Sequence, residues 1–414
     1  MANRNVLCFI ESNPIGFEVL KEAYLKGIYI VFVTSDLAYY EDKKQIQKKY
    51  IHEIIQIKDT SESDLITSIL SSKYKKDQLL NVISLNDLHL PVAARVAEKL
   101  GVGLQSALSI EIPSNKYKFN KLLNYLEITT PNFCLTNAHN AFFTANKIGY
   151  PLVIKPINGT GSKFVKLIRD KHELSRYLDE MKSQKSFGRS MNRSDEYLIE
   201  EYIDGDLFSV EVMIQNGNPI IFGVTKRTLE GDPYFIEKES IFPIKNLNIP
   251  KLNNYIERII EALGMKWGFA HIEFIYKKDI GLYFIEMNPR LPGGVIPKMI
   301  SKYYNINLNE VAVNIYCGSM NNLNLVESNT LLKSYHFIPK VTGTINQIKI
   351  PSNHTIKYNV EEFKLLQNEG AFITDLNSNF CRLGYVIIKS NTLKKIDEKL
   401  NNVKNETSFN LIKE

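Results

Sequence analysis

The sequence predicts an α/β fold that passes into α+β, with a parallel sheet flanked by helices first, a mostly β centre next, and a small mixed module last. Three observations carry this reading. The first hundred residues alternate short apolar runs with amphipathic stretches, the pattern of strands joined by crossover helices. Strand-like segments crowd the middle of the chain, and residues from about 326 onward mix strands with a helical pattern again. At 414 residues the chain is too long for one core, so two to four packed lobes are expected.

Val6-Leu7-Cys8-Phe9-Ile10 reads as the first strand. The turn Asn13-Pro14-Ile15-Gly16 opens a helix that runs to Lys26, and Ile28 to Val33 gives a second strand. A helical stretch from Ser61 to Lys73 precedes a strand from Asn81 to Leu85, and Asp87 is placed to cap the helix that ends before Gly101. Together these make a small Rossmann-like lobe over residues 1–112. Its first turn has one glycine and no G-x-G-x-x-G, which argues against dinucleotide binding there. A central domain over 113–325 is expected to open with a capped helix at Ser114, a strand from Pro131 to Leu135 and a helix to Gly149, and to close with helices near 291–302 and 308–317. Within it, residues about 150–205 read as a lid, and the polar stretch Ser183 to Glu196 as a mobile loop. Residues 326–414 form the α+β module, with strands from Ser334 to Pro339, Gly343 to Ile350 and Gly384 to Lys389.

The composition narrows the class. With 44% hydrophobic, 11% aromatic and 23% charged residues, the chain has enough to bury and is not a disordered one. Its formal charge of +6 is modest, and the 51 Lys and Arg are dispersed, which suits small anions better than DNA. The four cysteines lie far apart without a CxxC pair, so reduced core thiols are expected, not zinc. The apolar run at the start is short, and no stretch approaches the roughly 18 apolar residues of a membrane span, so a cytoplasmic location is expected.

Three segments carry chemistry. Pro151 to Ile168 reads as a strand, a small-residue loop of Gly159, Thr160, Gly161 and Ser162, and a returning strand. Backbone N–H groups of such a loop can close round phosphate oxygens, with Lys155 neutralising them; a plain hairpin with a solvated lysine reads equally well. No G-x-x-x-x-G-K-[ST] occurs, so a P-loop is disfavoured. In Leu198 to Asp206, a strand ends in Glu200 and Glu201 before a turn, as an adenine-binding hinge would, or as a merely solvated strand end. Most specific are Gly268 to Tyr276 and Gly281 to Arg290. By period two, His271 and Glu273 face one way, and so do Glu286, Asn288 and Arg290. Two carboxylates and an amide oxygen among apolar neighbours suit Mg²⁺ bridging phosphates, the alternative being a solvated sheet face.

In order, Lys116, Lys155 with its glycine loop, the Glu200-Glu201 hinge, Glu273, and Glu286-Met-Asn288-Pro-Arg290 resemble the ATP-grasp superfamily over nearly the whole chain. Its amino-acid ligase branch is similar in Asn115-Lys116, in His-x-Glu, in Asn-Pro-Arg followed by Leu291-Pro292-Gly293-Gly294, and in Ile338-Pro339 with Gly343-Thr344. The resemblance implies an ATP-grasp fold with a two-lobed ATP-binding centre, and an ADP-forming ligase that joins a carboxylate to an amine through an acyl phosphate. It implies that Lys116, Lys155 and Gly159 to Ser162 hold the phosphates of ATP, that Glu200 to Ile203, with Tyr202, form the hinge, and that Lys226 or Arg227 adds a phosphate contact. Glu273, Glu286 and Asn288 would hold two Mg²⁺, with Mn²⁺ as a substitute. Arg290, with Gly293 and Gly294, would hold substrate; Arg290, Lys155 and His271 are the expected catalytic residues. Leu207 stands where relatives carry a ribose-binding Glu, so that role passes to Asp206. The expected partners are small-molecule carboxylates and amines, amino acids first, with no nucleic acid and no membrane; a homodimer stays an open option. Rival readings are an ATP-grasp carboxylase, a carrier-protein or peptide ligase, and a non-catalytic nucleotide-binding module.

Overall fold

The computed structural model of the chain describes residues 5–245, 249–279, 281–351, 358 and 360–413. The N-terminal lobe is built on a parallel sheet of β1 (Val6–Ile10), β2 (Tyr29–Thr34), β3 (Glu53–Gln56) and β4 (Leu79–Ile83), in the order β3-β2-β1-β4. Every residue of β1 is buried, which is why it reads as one unbroken apolar run. Helix α1 (Pro14–Leu25) starts where the turn residues say it should: the Asn13 side chain accepts from the Gly16 N–H, and Pro14 sits in the first turn. The sequence reading missed β3 because it is an edge strand in which only Ile55 is buried. Strand β4 begins two residues before the expected Asn81, at Leu79. Helices α2 (Lys44–Tyr50) and α3 (Ser63–Lys73) lead to α4 (Leu90–Lys99), which corrects one assignment. Asp87 does not cap α4, whose N-cap is His89 without a side-chain bond; its carboxylate is taken by Arg290 instead.

Helices α5 (Leu108–Ser114) and α6 (Lys116–Tyr125) follow, and Asn115 caps α6 by accepting from the Lys118 N–H. The next lobe carries β5 (Phe133–Asn137), α7 (Ala141–Ile148), β6 (Leu152–Pro156), β7 (Lys166–Ile168) and α8 (Lys171–Met181). The stretch expected to be a mobile loop is instead a hairpin, β8 (Ser186–Gly188) and β9 (Met191–Asn192). Its anchor is Arg193, a buried side chain that donates to the carbonyls of Gln184, Ser194 and Met181, so polar composition here hides backbone that is tied down. Strand β10 (Glu196–Glu201) then inserts between β5 and β6, giving the antiparallel order β5-β10-β6-β7.

The largest sheet has eight strands. Its core is β11 (Asp206–Gln215), β12 (Asn218–Glu230), β13 (Ile236–Phe242), β14 (Trp267–Lys277) and β15 (Gly281–Asn288), with α9 (Leu252–Leu263) packed on one face. On that face Phe208, Val210, Ile272 and Phe274 meet Ile256 and Ile260 of α9, all buried. Alternation sends Ser209, Glu211, His271 and Glu273 to the opposite face. Helices α10 (Ile296–Tyr304) and α11 (Leu308–Tyr316) precede β16 (Leu331–Phe337), which pairs with β13. The tail adds β17 (Gly343–Lys349), β18 (Val360–Leu365), β19 (Phe372–Ile373), β20 (Gly384–Ser390), α12 (Leu393–Glu406) and β21 (Ser408–Ile412). Strands from both sides of the expected boundary at residue 326 join one sheet, β15-β14-β11-β12-β13-β16-β20-β18, while β19-β17-β21 form a small sheet of their own. That continuity brings tail residues to the polar face. Among the described residues no helix is long and apolar enough to cross a membrane.

Phe274 is fully buried and stacks on Phe208 at 5.6 Å directly behind Glu273, so Phe274→Ala is expected to destabilise the chain. The expected loss is about 3–5 kcal/mol, read as a lower urea midpoint; a midpoint within error of the unaltered chain's would refute this role.

Candidate active site

Residues from the N-terminal lobe, the centre and the tail line one cleft of about 740 Å³. Its floor is the polar face of β14 and β15, where Glu273 lies opposite Glu286 and His271 opposite Asn288. A bulge beside Glu273 is what makes this possible. Phe284 and Met287 are both buried in the core, so strict alternation would turn Glu286 inward with Phe284; the bulge lets Ile285 and Glu286 both line the cleft.

Charged partners hold each floor carboxylate. Arg227 donates through Nη1 to Glu273 Oε1, and through Nε to Glu237 Oε1 at 3.1 Å. His271 lies between two carboxylates, with Nδ1 at 2.8 Å from Glu211 Oε2 and Nε2 at 3.1 Å from Glu273 Oε1. Burial by itself would lower the histidine pKa, but Glu211 and Glu273 outweigh it and raise it to about 9, so the imidazolium donates from both nitrogens. Burial likewise acts to raise Glu273, yet Arg227 and His271 hold its carboxyl well below the usual range. Lys116 Nζ lies 3.4 Å from Glu286 Oε2, and the Asn288 amide donates to Glu286 Oε1 at 3.2 Å.

The phosphate side is built on β6 and β10. Lys155 and Glu200 are both buried and meet at 2.6 Å, and Asn120 donates to the other Glu200 oxygen at 2.9 Å. Beyond β6 the loop is bent tightly: Gly161 has φ +63°, and a Cβ there would stand 3.0 Å from the Phe380 ring. Ser162 also holds a positive φ, of 58°. Thr160 donates to Asp87, and the Asn379 N–H donates to the Gly161 carbonyl at 3.1 Å, so the loop is tied to the first lobe and to the tail. At the hinge, Glu201 accepts from the Asn132 amide at 2.7 Å, and Tyr202 and Ile203 line the cleft beside it. Arg290 grips Asp87 with Nε and Nη2, the latter at 2.7 Å, and Gly293 and Gly294 continue the wall.

Residues 148–298 match the ATP-grasp domain. The chain carries an ATP-grasp domain. Its fold is similar to a crystal structure of an L-amino acid ligase from Bacillus licheniformis, with a TM-score of 0.80, 18% identity and all of both chains covered. An N5-carboxyaminoimidazole synthetase from Staphylococcus aureus, solved with ADP, aligns with a TM-score of 0.72 at 14% identity over 96% of each chain. At such identities the likeness establishes the fold. In sequence, a Sinorhizobium fredii protein, y4rH, is 27% identical over 80% of this chain and 68% of its own length. A carbamoyl phosphate synthase large chain from Thermoanaerobacter pseudethanolicus is 30% identical over 51% of this chain, which spans only 19% of that relative.

Within the ATP-grasp cleft, three expectations need correction. Asp206 and Lys226 do not line it; they pair with each other at 2.8 Å. Parity explains why. Lys226 lies opposite Phe208, a core residue on the reverse face of the sheet, whereas the next position, Arg227, lies opposite Leu207 and faces the cleft. His271 offers no free nitrogen to a substrate, since both are engaged by carboxylates, so it positions Glu273. Glu200 turns its carboxylate to Lys155 instead of towards a hinge ligand. The remaining expected residues lie together in the cleft, from Lys116 and Lys155 to Glu273, Glu286, Asn288 and Arg290. Sequence reasoning missed Glu211, Glu237, Asp87 as the partner of Arg290, and Arg382; the apolar parity of Phe208 and Val210 could have flagged Glu211.

The oxygen donors suit a hard divalent cation. Among the described residues no three His, Cys, Asp or Glu side chains converge as a cage. Two opposed carboxylates with an amide oxygen beside them match Mg²⁺, which binds through few protein oxygens and takes the rest from phosphate and water. Glu273 carries its two contacts on Oε1, and Oε2 has no partner among the described residues.

Glu237 anchors this electrostatic floor. Burial acts to raise its pKa, but Arg227, Arg382 and His336 hold it down at about 2. A folded pKa below the unfolded one stabilises above the unfolded value and loses that contribution as pH falls through the folded one. Glu237→Gln is therefore expected to destabilise the chain by about 3–5 kcal/mol at neutral pH, with the gap closing from about pH 4.3 downward. Urea midpoints of both proteins at neutral and acid pH check this; a gap of constant size would contradict it.

Proposed function

We propose that the chain is an ATP-dependent, ADP-forming ligase that joins a carboxylate to an amine by way of an acyl phosphate, with amino acids as substrates. One observation carries the reading: Glu273 and Glu286 oppose each other beside Asn288, in the same cleft as Lys155 and Arg290. The likeness to the L-amino acid ligase, over the full length of both chains, supports it.

A carboxylate does not condense with an amine at neutral pH, because hydroxide is a poor leaving group; transfer of a phosphoryl group to the acid oxygen supplies a good one, and the amine then displaces phosphate. Two Mg²⁺ held by Glu273, Glu286 and Asn288 would offset the charge on the phosphates of ATP. The chain's own part is positioning. Glu200 and Asn120 fix Lys155, so its ammonium is set in place before phosphate arrives. Asp87 fixes Arg290, which presents its remaining N–H groups to the reacting acid. His271 and Arg227 set the direction of the Glu273 carboxylate. The loop from Gly159 to Ser162, held by Asp87 and Asn379, covers the reacting groups and keeps water from the acyl phosphate. With ATP and free amino acids as reactants, the cytoplasm is the proposed compartment.

A second reading has bicarbonate as the activated acid, which the sequence match to carbamoyl phosphate synthase large chains favours. A matrix of amino-acid pairs, with bicarbonate alongside, scored by ADP release and product mass, separates the two. Amino-acid-dependent ADP with a dipeptide mass is the expected result, and ADP that depends on bicarbonate alone would overturn the ligase reading. Glu286→Gln is expected to lower kcat by about 10²–10³-fold while the chain stays folded; near-normal turnover would remove Glu286 from the site.

A further inference from the structure

Arg227, Arg290 and Arg382 each bring a largely buried guanidinium group to the cleft, and they are not equally matched. Arg227 lies between Glu237 and Glu273, and Arg290 holds Asp87 with two donors. Arg382, delivered by the tail at the foot of β20, has only a share in one acid. Its Nη1 stands 3.4 Å from Glu237 Oε2, the oxygen that Arg227 leaves, and 3.3 Å from His336 Nε2. Its Nε donates to the Asn379 carbonyl at 2.8 Å, which orients the group. Burial pushes the neighbouring His336 down to about 3, so it is a neutral acceptor and adds no negative charge. Nη2 has no protein acceptor among the described contacts. Burial lowers the pKa of Arg382, whereas Arg227 and Arg290 are raised in spite of burial because their acids compensate them. A largely buried cation that shares one counter-ion and turns a donor edge to a ligand cleft is suited to take an anion.

We infer that Arg382 binds the free carboxylate of the acceptor amino acid, the one that is not activated. This rests on the ligase reading above and adds to it the residue that selects an α-amino acid as acceptor over a simple amine or an amide. The donor's carboxylate is consumed at the floor beside Glu273 and Glu286, whereas Arg382 stands three contacts away from Glu273, through Glu237 and Arg227. When two amino acids are coupled, the carboxylate that persists is the acceptor's. Arg382 lies two residues beyond Phe380 and three beyond Asn379, which touch the position of a Gly161 side chain and Ser162 respectively, so an acceptor seated there abuts the phosphate-covering loop.

The test uses the full chain loaded with Mg²⁺ and a non-hydrolysable ATP analogue, titrated with L-alanine and with L-alaninamide, which keeps the amine and lacks the carboxylate. The unaltered chain is expected to bind alanine about tenfold or more tightly than the amide, and Arg382→Gln to erase that preference by weakening alanine alone. Arg382→Lys, which keeps a cation for Glu237, is expected to retain part of it and carries the test if the Gln variant does not fold. Equal affinity of the unaltered chain for both probes, or a preference that survives in both variants, overturns the assignment. In turnover, Arg382→Gln raises the KM for the acceptor by a larger factor than it lowers kcat, and a fall in kcat with that KM unchanged overturns it too. A chain that prefers alanine through Arg382 yet forms no ADP with any acid would overturn the ligase reading while upholding the carboxylate site.

Discussion

Everything in the cleft depends on keeping carboxylates charged in a buried place. Glu211, Glu237 and Glu273 are all buried or nearly so, and a bare carboxylate there would neutralise itself by taking a proton. The fold avoids this with alternating charge. Arg382, Glu237, Arg227, Glu273, His271 and Glu211 follow one another across the sheet, each in contact with the next. Such a row sets the position of Glu273 from both sides, so the carboxylate proposed to meet a cation is fixed before any ligand arrives.

The row also explains why three parts of the chain must pack as they do. Glu211, Arg227, Glu237 and Glu273 come from adjacent strands of one sheet, and Arg382 comes from the tail, beside β16 in the same sheet. The N-terminal lobe contributes Asp87, which joins Arg290 to the glycine loop through Thr160. A single carboxylate thus ties a wall residue to the loop above it, and the loop's other side rests on Asn379. The first lobe, the centre and the tail also share one apolar core, from Leu7 and Phe32 through Phe269 and Met299 to Leu332 and Ile387, whereas the glycine loop is held to the first lobe and the tail by polar contacts.

Much of the site was legible because strand parity is a local property. Ile272 and Phe274 are apolar, so His271 and Glu273 had to face the other way, and the structure places them so. The same rule, applied one strand over, would have separated Arg227 from Lys226, since Phe208 and its partner Lys226 share the reverse face. Where parity breaks, sequence is silent. Phe284 and Glu286 are two apart and should share a face, and only the bulge beside Glu273 parts them. The hairpin at Ser186–Asn192 was hidden for a different reason: its stability comes from Arg193 bonding to carbonyls, which leaves no apolar period to read.

By itself, then, the sequence determined the buried strands and capped helices of the first lobe, the glycine loop, and the acidic pair with its amide, because each depends on residues a few positions apart and on fixed periods of two or 3.6. The tertiary structure alone decided which charges meet. Asp87 with Arg290, Thr160 with Asp87, and Glu237 with Arg382 join residues from about 70 to over 200 positions apart. Such pairings depend on how lobes and sheet edges are set against one another, and no local pattern encodes that.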